Sequence, residues 1–149
     1  MDDEKWMSMA LTEARKAFNE GEVPVGAVIV KNNILISSAH NKCRSLNDPT
    51  MHAECIALKQ AYSILGSLSD CTLFVTLEPC AMCAGTILQF RLPRLIFGAY
   101  EPNTGCCGSK IDLLDHWFDS STKVSGGIME IESRQLLNDF FSQVRFDLI

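Results

Sequence analysis

The stretch CTLFVTLEPCAMCAGTIL, residues 71–88, combines a strand pattern and a helix pattern with a polar turn between them. Residues 71–77 are apolar and β-branched, which is typical of a strand buried on both faces. Pro79 ends the strand, and residues 81–90 return to helical composition. The run RLIFGAY at 94–100 predicts the next strand. Strands that alternate with helices indicate a layered α/β domain.

The segments before this stretch predict a helix and a hairpin. Residues 4–20 carry apolar side chains at spacings of three and four, which is the pattern of an amphipathic helix, and Gly21 ends it. Two apolar runs, 25–30 and 34–39, flank a polar turn at 31–33 and indicate paired strands. A hairpin of this kind makes the central sheet mixed, because its strands run antiparallel.

Four more elements are expected around and after the central stretch. Thr50 is a suitable N-cap for a helix from about 51 to 63. Towards the C-terminus, the patterns predict a short helix at 111–118, a weak strand at 126–131 and a final amphipathic helix at 133–144.

Length and composition are those of one globular domain. The chain has 149 residues, which suffice for one hydrophobic core and not comfortably for two. Its 47% hydrophobic and 21% charged residues are ordinary for a globular protein. We therefore expect a single α/β domain over residues 1–149. It would be a three-layer α/β/α arrangement, with a central mixed sheet of about five strands and helices on both faces.

Charge and cysteine content bear on location and partners. No apolar run is long enough to cross a bilayer, and the acidic N-terminus, MDDEKWMSMA, is unlike a secretory signal. We therefore expect a cytoplasmic protein without a membrane partner. The seven cysteines are an odd number, which argues against a disulfide framework. The net charge of −5 argues mildly against a general nucleic-acid binder.

Cys80 and Cys83 form a C-x-x-C pair where the predicted strand passes into the helix. Residues three apart in the first turn of a helix lie on one face, so both sulfurs can reach one ion. The unpaired N–H groups and the dipole of a helix N-terminus favour the thiolate form of such cysteines. Taken alone, the pair is compatible with a redox pair, half of a structural zinc site or part of a catalytic zinc site.

The segment PTMHAECIAL, residues 49–58, places His52, Glu54 and Cys55 at the start of a predicted helix. The chain has no second C-x-x-C and no H-x(3–5)-H, which argues against a four-ligand structural site. His52 and the two cysteines would leave one coordination position open, as in catalytic zinc sites. Glu54 could then move protons between water and a substrate. A further thiolate, as fourth protein ligand, would close that position, so we expect Cys55 to be a small buried residue beside the site.

The HAE motif at 52–54, followed by PCAMC at 79–83, resembles the signature of the zinc-dependent nucleoside and base deaminases. Within this superfamily, the chain resembles the bacterial tRNA-specific adenosine deaminases most closely. The segments that carry the closer resemblance occur in the same order and extend over about residues 6–141. They are EVPVGAVIV, the Asn41 of AHNK, DPTMHAE, TLEPCAMCAG, FGAY, TGCCGS and LLNDFF.

The resemblance implies a cytidine-deaminase-like fold and conversion of adenosine to inosine at the wobble position of a tRNA anticodon. It implies one Zn²⁺ per chain held by His52, Cys80 and Cys83, with Glu54 as the catalytic proton shuttle. The target base would leave the stacked loop and enter the pocket. The implied partners are a tRNA anticodon stem-loop and a second copy of the chain in a homodimer. The implied substrate-binding residues are Asn41, Ala53, Val25 and Phe141.

Alternative interpretations stay open on the sequence. The same zinc site serves deaminases of free guanine or cytosine compounds, although guanine deaminases tend to carry an aromatic residue where Val25 stands. A non-catalytic zinc or thiol module is the alternative from another class, but such a site has no need of Glu54. Asn41 would also suit the cap of a turn. Glu78, a rival acid, is interpreted as a structural carboxylate hydrogen-bonded to backbone.

Several departures from the family concern RNA contacts. The C-terminal segment SQVRFDLI has Arg145 as its only basic residue, whereas relatives often carry a basic tail. The loop after FGAY reads Glu101-Pro102-Asn103, without the lysine that is common there. These changes leave fewer obvious phosphate contacts and predict RNA binding that is either weak or strongly salt-dependent. The candidate phosphate contacts are Lys42, Arg44, Arg91, Arg94 and Lys110.

Overall fold

The computed structural model describes residues 2–115 and 120–147, and only the backbone of residues 145–147. In chain order, its elements are α1 (Asp3–Asn19), β1 (Gly26–Lys31), β2 (Ile34–His40), α2 (Ala53–Leu65), β3 (Cys71–Leu77), α3 (Ala81–Gln89), β4 (Arg94–Ala99), β5 (Lys123–Ser125) and α4 (Glu130–Asp147). None of the helices formed by these residues is long and apolar enough to cross a membrane.

The five strands form one mixed sheet in the order β2-β1-β3-β4-β5. Strand β1 is antiparallel to both β2 and β3, whereas β3, β4 and β5 are mutually parallel. The register pairs Leu73 with Leu95 and Leu77 with Ala99, so β3 and β4 end at the same edge of the sheet. The loops that follow these two strands therefore meet at that edge, where open α/β sheets bind ligands.

Alternate residues of the strands feed two separate hydrophobic clusters, because successive side chains of a strand point to opposite faces. One cluster packs α2 and α3 against the first face, through residues such as Leu58, Ile87 and Leu73. The other packs Met7 of α1 against the second face, where it contacts a cluster that includes Phe74. The predicted three-layer arrangement with helices on both faces is thereby confirmed.

The predicted strand at 126–131 is wrong. Strand β5 lies earlier, at Lys123–Ser125, and the chain then turns so that Glu130 begins α4. The turn passes close over the ring of Phe97, and a Cβ at Gly126 would collide with that ring. A glycine pair that reads as a weak strand in sequence is thus a tight turn before a helix.

Two other helix predictions need correction. Residues 111–115 of the predicted helix at 111–118 are not helical: Leu113 N–H donates to Cys106 O at 2.9 Å, which ties this segment to the preceding loop. Residues 116–119, with His116, lie outside the described residues. Thr50 is not the N-cap of α2, because its hydroxyl donates to the Asp48 carboxylate at 2.6 Å. The helix begins at Ala53, with His52 in the N-cap position.

Candidate active site

The three predicted metal ligands lie at two helix starts. His52 is the N-cap residue of α2, Cys80 is the N-cap residue of α3, and Cys83 lies three positions further along α3. Both caps have extended backbone, and neither side chain makes a capping hydrogen bond, so both side chains are available to the site. The two helix N-termini bring partial positive charge to the same place, which suits thiolates.

His52, Cys80 and Cys83 form the one group of three or more potential ligands among the described residues. Their ligand atoms all lie within 4.8 Å of one another, with His52 Nδ1 at 3.7 Å from Cys80 Sγ and 3.4 Å from Cys83 Sγ. Tetrahedral zinc, with bonds of about 2.3 Å to sulfur and about 2.1 Å to nitrogen, separates such ligands by about 3.6 Å. The group therefore fits zinc with little movement of its side chains.

The electrostatics of the two thiols also favour a cation. Hydrogen bonding from Cys83 and from His52 lowers the pKa of Cys80 to about 3, so this sulfur is a thiolate at neutral pH. The pKa of Cys83 is raised, because its sulfur hydrogen-bonds to Cys55 and Cys80 and is buried. A second thiolate beside the first needs compensating positive charge, which a divalent ion among the three ligand atoms would supply.

Glu54 lies in the first turn of α2, and its side chain lines the cavity beside the ligands. It is not a member of the ligand group. Only 4% of the residue is exposed, and this burial raises the pKa of the carboxyl to about 7. A carboxyl that titrates near neutrality can accept and return a proton with little bias, which suits a general acid–base group.

The cavity in front of this group has a volume of about 240 Å³. That is below the range of about 300–1,000 Å³ for drug-sized ligands, so the cavity suits one small ring system. The lining residues are Val23, Val25, Asn41, Cys43, His52, Glu54, Leu77, Glu78, Cys80 and Thr104. Its walls thus combine the apolar side chains of Val23, Val25 and Leu77 with polar and ionisable groups that can orient and react with a ligand.

Asn41 is fixed at the cavity wall by two contacts. Its Oδ1 accepts from Ala53 N–H at 2.9 Å, and its own N–H donates to Val25 O at 3.1 Å. Because Oδ1 is occupied, the amide NH₂ is the group left to donate to a ligand. Ala53 N–H is one of the unpaired donors of the α2 N-terminus, so Asn41 also caps this helix in part. The capping and base-binding interpretations of Asn41 are therefore compatible.

Two buried carboxylates hold the loops on either side of the cavity. Glu22 is 1% exposed and accepts from Arg44 N–H at 2.9 Å and Ser45 N–H at 2.7 Å, which anchors the loop after Asn41. Burial opposes ionisation of Glu22, but these hydrogen bonds outweigh it and lower its pKa. Glu78 accepts from the loop after β4, including Glu101 N–H at 2.9 Å. Its interpretation as a structural carboxylate bonded to backbone is confirmed.

Of the remaining residues discussed from the sequence, some lie at the cavity and others lie away from it. Val25 is buried and lines the cavity. Phe141 is 44% exposed on α4 and stacks edge-on against Phe140, outside the cavity lining. Cys55 is buried as predicted, and its Sγ lies 3.5 Å from Cys83 Sγ, beside the ligand group but not in it. All seven cysteines are free, as expected for a chain without a disulfide framework.

The candidate phosphate contacts divide between the two ends of the sheet. Lys42 and Arg44 follow Asn41, and Lys110 follows the loop after β4, so these three lie at the end that carries the cavity. Arg91 precedes β4 and Arg94 is its first residue, so both lie at the opposite end, where Arg94 pairs with Asp3 at 3.2 Å. A six-residue strand spans roughly 17 Å, so Arg91 and Arg94 are remote from the cavity.

Sequence reasoning missed several residues that shape the cavity. Val23, Cys43, Leu77 and Thr104 line it, and Glu22 holds one of its loops. Glu22 was not singled out, because a lone glutamate directly after Gly21 and close to Pro24 reads as an exposed loop residue. The position of Thr104 in a glycine-bounded loop after a strand was a weak pointer to a binding edge.

Comparisons with known proteins agree with this geometry. The MafB19-like deaminase family matches residues 1–145. The tRNA-specific adenosine deaminase of Bacillus subtilis is 40% identical over 146 residues, which cover 96% of this chain and 91% of that protein. The tRNA-specific adenosine deaminase of Aquifex aeolicus is 41% identical over 152 residues, which cover 100% of both chains.

A solved structure from work on A-to-I editing by tRNA:A34 deaminases superposes with a TM-score of 0.82 at 38% identity. The superposition covers 89% of this chain and 99% of that one. The fold, the geometry of the ligand group and the sequence similarity over nearly the full length therefore all indicate the same family. The chain belongs to the MafB19-like deaminase family, together with the tRNA-specific adenosine deaminases, and is a hydrolytic deaminase.

Proposed function

We propose that this protein converts adenosine to inosine at the wobble position of a tRNA anticodon and releases ammonia. The observation that carries the proposal is the buried Glu54, which faces a small cavity together with the His52, Cys80 and Cys83 group. The relatives named above support the choice of substrate, since they are tRNA-specific adenosine deaminases. The whole chain acts as one deaminase domain.

One zinc ion per chain is held by His52, Cys80 and Cys83. When bound, zinc supplies the Lewis-acid chemistry that makes water nucleophilic at neutral pH. Glu54 takes a proton from the attacking water and delivers it to N1 of adenine. It then takes the proton of the new C6 hydroxyl and passes it to the amino group on C6, which leaves as ammonia while the oxygen stays on C6 as the carbonyl of inosine.

The other cavity residues orient and desolvate the base. The Asn41 amide, fixed through Ala53 N–H, presents its NH₂ to an acceptor on the base. Val23, Val25 and Leu77 supply apolar walls that exclude water from the reacting atoms. The cavity has room for one ring system only, so the target nucleotide must leave the stack of the anticodon loop before it reacts.

Three further properties belong to this proposal. The RNA approaches from the sheet end where Lys42, Arg44 and Lys110 lie, and Phe141 on α4 is a more distant contact. The protein acts in the cytoplasm, where its substrate is found. It works as a homodimer, for which exposed apolar side chains on α2 and α3 are available: Tyr62 is 46%, Ile64 64% and Met82 36% exposed.

The test is incubation of zinc-loaded protein with an anticodon stem-loop that carries adenosine at the wobble position. Inosine is read out by sequencing, where it appears as guanosine, and a stem-loop with adenosine only at other loop positions is the control. Free adenosine, guanine and cytidine are tested in parallel. Turnover of a free compound without turnover of the stem-loop would overturn the substrate assignment. The mass of the protein in solution, measured by light scattering, tests the homodimer.

A further inference from the structure

A second carboxylate, Glu78, lines the cavity in addition to Glu54. It follows β3 and precedes Pro79 and Cys80, and only 2% of the residue is exposed. Its backbone N–H donates to Ala99 O at 2.9 Å, which extends the pairing of β3 with β4 by one residue. A carboxylate this deeply buried requires several donors, because an unpartnered buried charge is strongly unfavourable.

Within the described part of the chain, the hydrogen-bond partners of the Glu78 side chain all come from one loop, residues 101–109. Oε1 accepts from Glu101 N–H at 2.9 Å and from the Ser109 hydroxyl. Oε2 accepts from Cys107 N–H at 3.1 Å and Ser109 N–H at 2.9 Å. The donors stand at both ends of the loop, so a single side chain fixes its entry and its exit.

The 101–109 loop is built closely around this carboxylate. A Cβ at Gly105 would collide with the Glu78 carboxyl group and with Glu101 O, so the loop approaches as only glycine permits. Cys106 N–H donates to Pro79 O at 2.9 Å, which adds a contact beside the Glu78 carboxylate. Thr104, between these fixed points, lines the cavity.

We propose that Glu78 is a positioning residue: its carboxylate holds the 101–109 loop so that Thr104 completes the cavity wall against the target nucleotide. This inference rests on the proposed function, because it assigns the loop to substrate binding. The loop does not supply a metal ligand or the proton shuttle, so its displacement weakens binding of the RNA and leaves the chemistry largely intact. Glu78 therefore affects KM more than kcat.

The substitution Glu78→Gln removes hydrogen-bond acceptors while it keeps the size and shape of the side chain. Glutamine has the same size, but it must place an NH₂ where one carboxylate oxygen stood. At the Oε2 position this NH₂ would face two backbone N–H donors, Cys107 and Ser109, which cannot turn into acceptors. At the Oε1 position the Ser109 hydroxyl can reverse and accept, but Glu101 N–H loses its partner. In either orientation the loop loses at least one anchor.

The experiment compares full-length, zinc-loaded Glu78→Gln with wild type and with Glu4→Gln, an exposed carboxylate in α1. Zinc per chain, kcat and KM for the wobble-adenosine stem-loop, and the rate of trypsin cleavage after Lys110 are measured. Lys110 is exposed, and its N–H donates to Gly105 O at 2.9 Å, so cleavage there reports on opening of the loop. A double variant with Ser109→Ala tests whether the two residues act through the same loop.

We expect Glu78→Gln to keep about one zinc per chain, to raise KM about tenfold with kcat within about threefold, and to speed cleavage after Lys110. Wild-type KM and cleavage rate, or loss of zinc, would overturn the positioning role. If Glu78→Gln does not fold, Ser109→Ala decides: a KM raised about threefold with faster cleavage supports the role, and no change overturns it. If wild type leaves the stem-loop unchanged, the proposed function fails, and the Lys110 cleavage rate still decides whether Glu78 holds the loop.

Discussion

Replacement of Glu22 tests how much the loop after Asn41 depends on one buried carboxylate. The Glu22→Ala substitution removes the acceptor of Arg44 N–H at 2.9 Å and Ser45 N–H at 2.7 Å. Each hydrogen bond to a charged group contributes about 1.5–3 kcal/mol, so the loss of two should lower the free energy of unfolding by about 3–6 kcal/mol at pH 7. That is a large part of the roughly 5–15 kcal/mol that stabilises a typical domain.

The same carboxylate predicts a pH dependence of defined sign. Hydrogen bonds from the N–H groups of Arg44 and Ser45 outweigh burial and hold the pKa of Glu22 in the folded protein below the usual value of a glutamate. A lowered folded pKa contributes stability that is present above the unfolded pKa and is lost as the pH falls through the folded value. The difference in unfolding free energy between wild type and Glu22→Ala should therefore be full near pH 7 and shrink once the pH drops below about 4.5.

The assay is urea unfolding followed by circular dichroism, with free zinc held constant because zinc bound to the folded state adds stability. Glu22→Gln keeps one acceptor oxygen and should lose about half as much stability, roughly 2 kcal/mol. Glu4→Ala, which removes an exposed carboxylate from the first turn of α1, should change stability by less than about 1 kcal/mol. A Glu22→Ala variant within 1 kcal/mol of wild type would refute the reasoning, because water would then replace the carboxylate.

The other predictions concern the site and the core. Glu54→Gln should keep about one zinc per chain by elemental analysis and lower kcat by roughly 10²–10⁴-fold; zinc loss would mean that Glu54 is a ligand. Cys83→Ala should lose both zinc and activity. If this variant still binds zinc with wild-type affinity in competition with a chelator, Cys83 is not a ligand. Asn41→Ala should raise KM about tenfold with zinc retained, and an unchanged KM would leave only its helix-capping role. Phe74→Ala should lower the free energy of unfolding by about 3–5 kcal/mol in the same urea assay, since Phe74 is fully buried; a loss below 1 kcal/mol would mean that the core closes around the cavity.

The position of Cys55 illustrates why spacing alone was insufficient at this site. Cys55 lies three residues after His52, the spacing that normally brings side chains to one helix face. His52, however, is the N-cap residue with extended backbone, so its side chain does not follow the helical direction. Cys55 points instead towards α3, where its sulfur meets Cys83 Sγ and Thr86 Oγ1, both at 3.5 Å. The ligand group consequently draws on two helices.

The sequence by itself determined the central features of this protein. The sequence patterns of buried strands, amphipathic helices and a turn at Pro79 predicted the three-layer α/β/α arrangement. Such patterns are informative because side-chain periodicity depends on local backbone geometry. The HAE and C-x-x-C motifs placed His52, Glu54, Cys80 and Cys83 at helix starts for the same local reason. Residues that are close together in the sequence are enough to specify these features.

Only the tertiary structure decided which distant residues complete the site. Glu22 was not singled out from the sequence, and Glu78 was predicted to be a structural carboxylate without its partners being known. Each becomes a loop anchor because the fold brings loop N–H donors from more than twenty residues away. Likewise, the sequence around Gly126 predicts a strand. In the fold this glycine packs against the ring of Phe97 in a tight turn, a contact that the local sequence does not indicate. The arrangement of Lys42, Arg44 and Lys110 at one end of the sheet, away from Arg91 and Arg94, follows from the directions of the paired strands. Contacts between residues far apart in sequence depend on packing, and no local pattern encodes them.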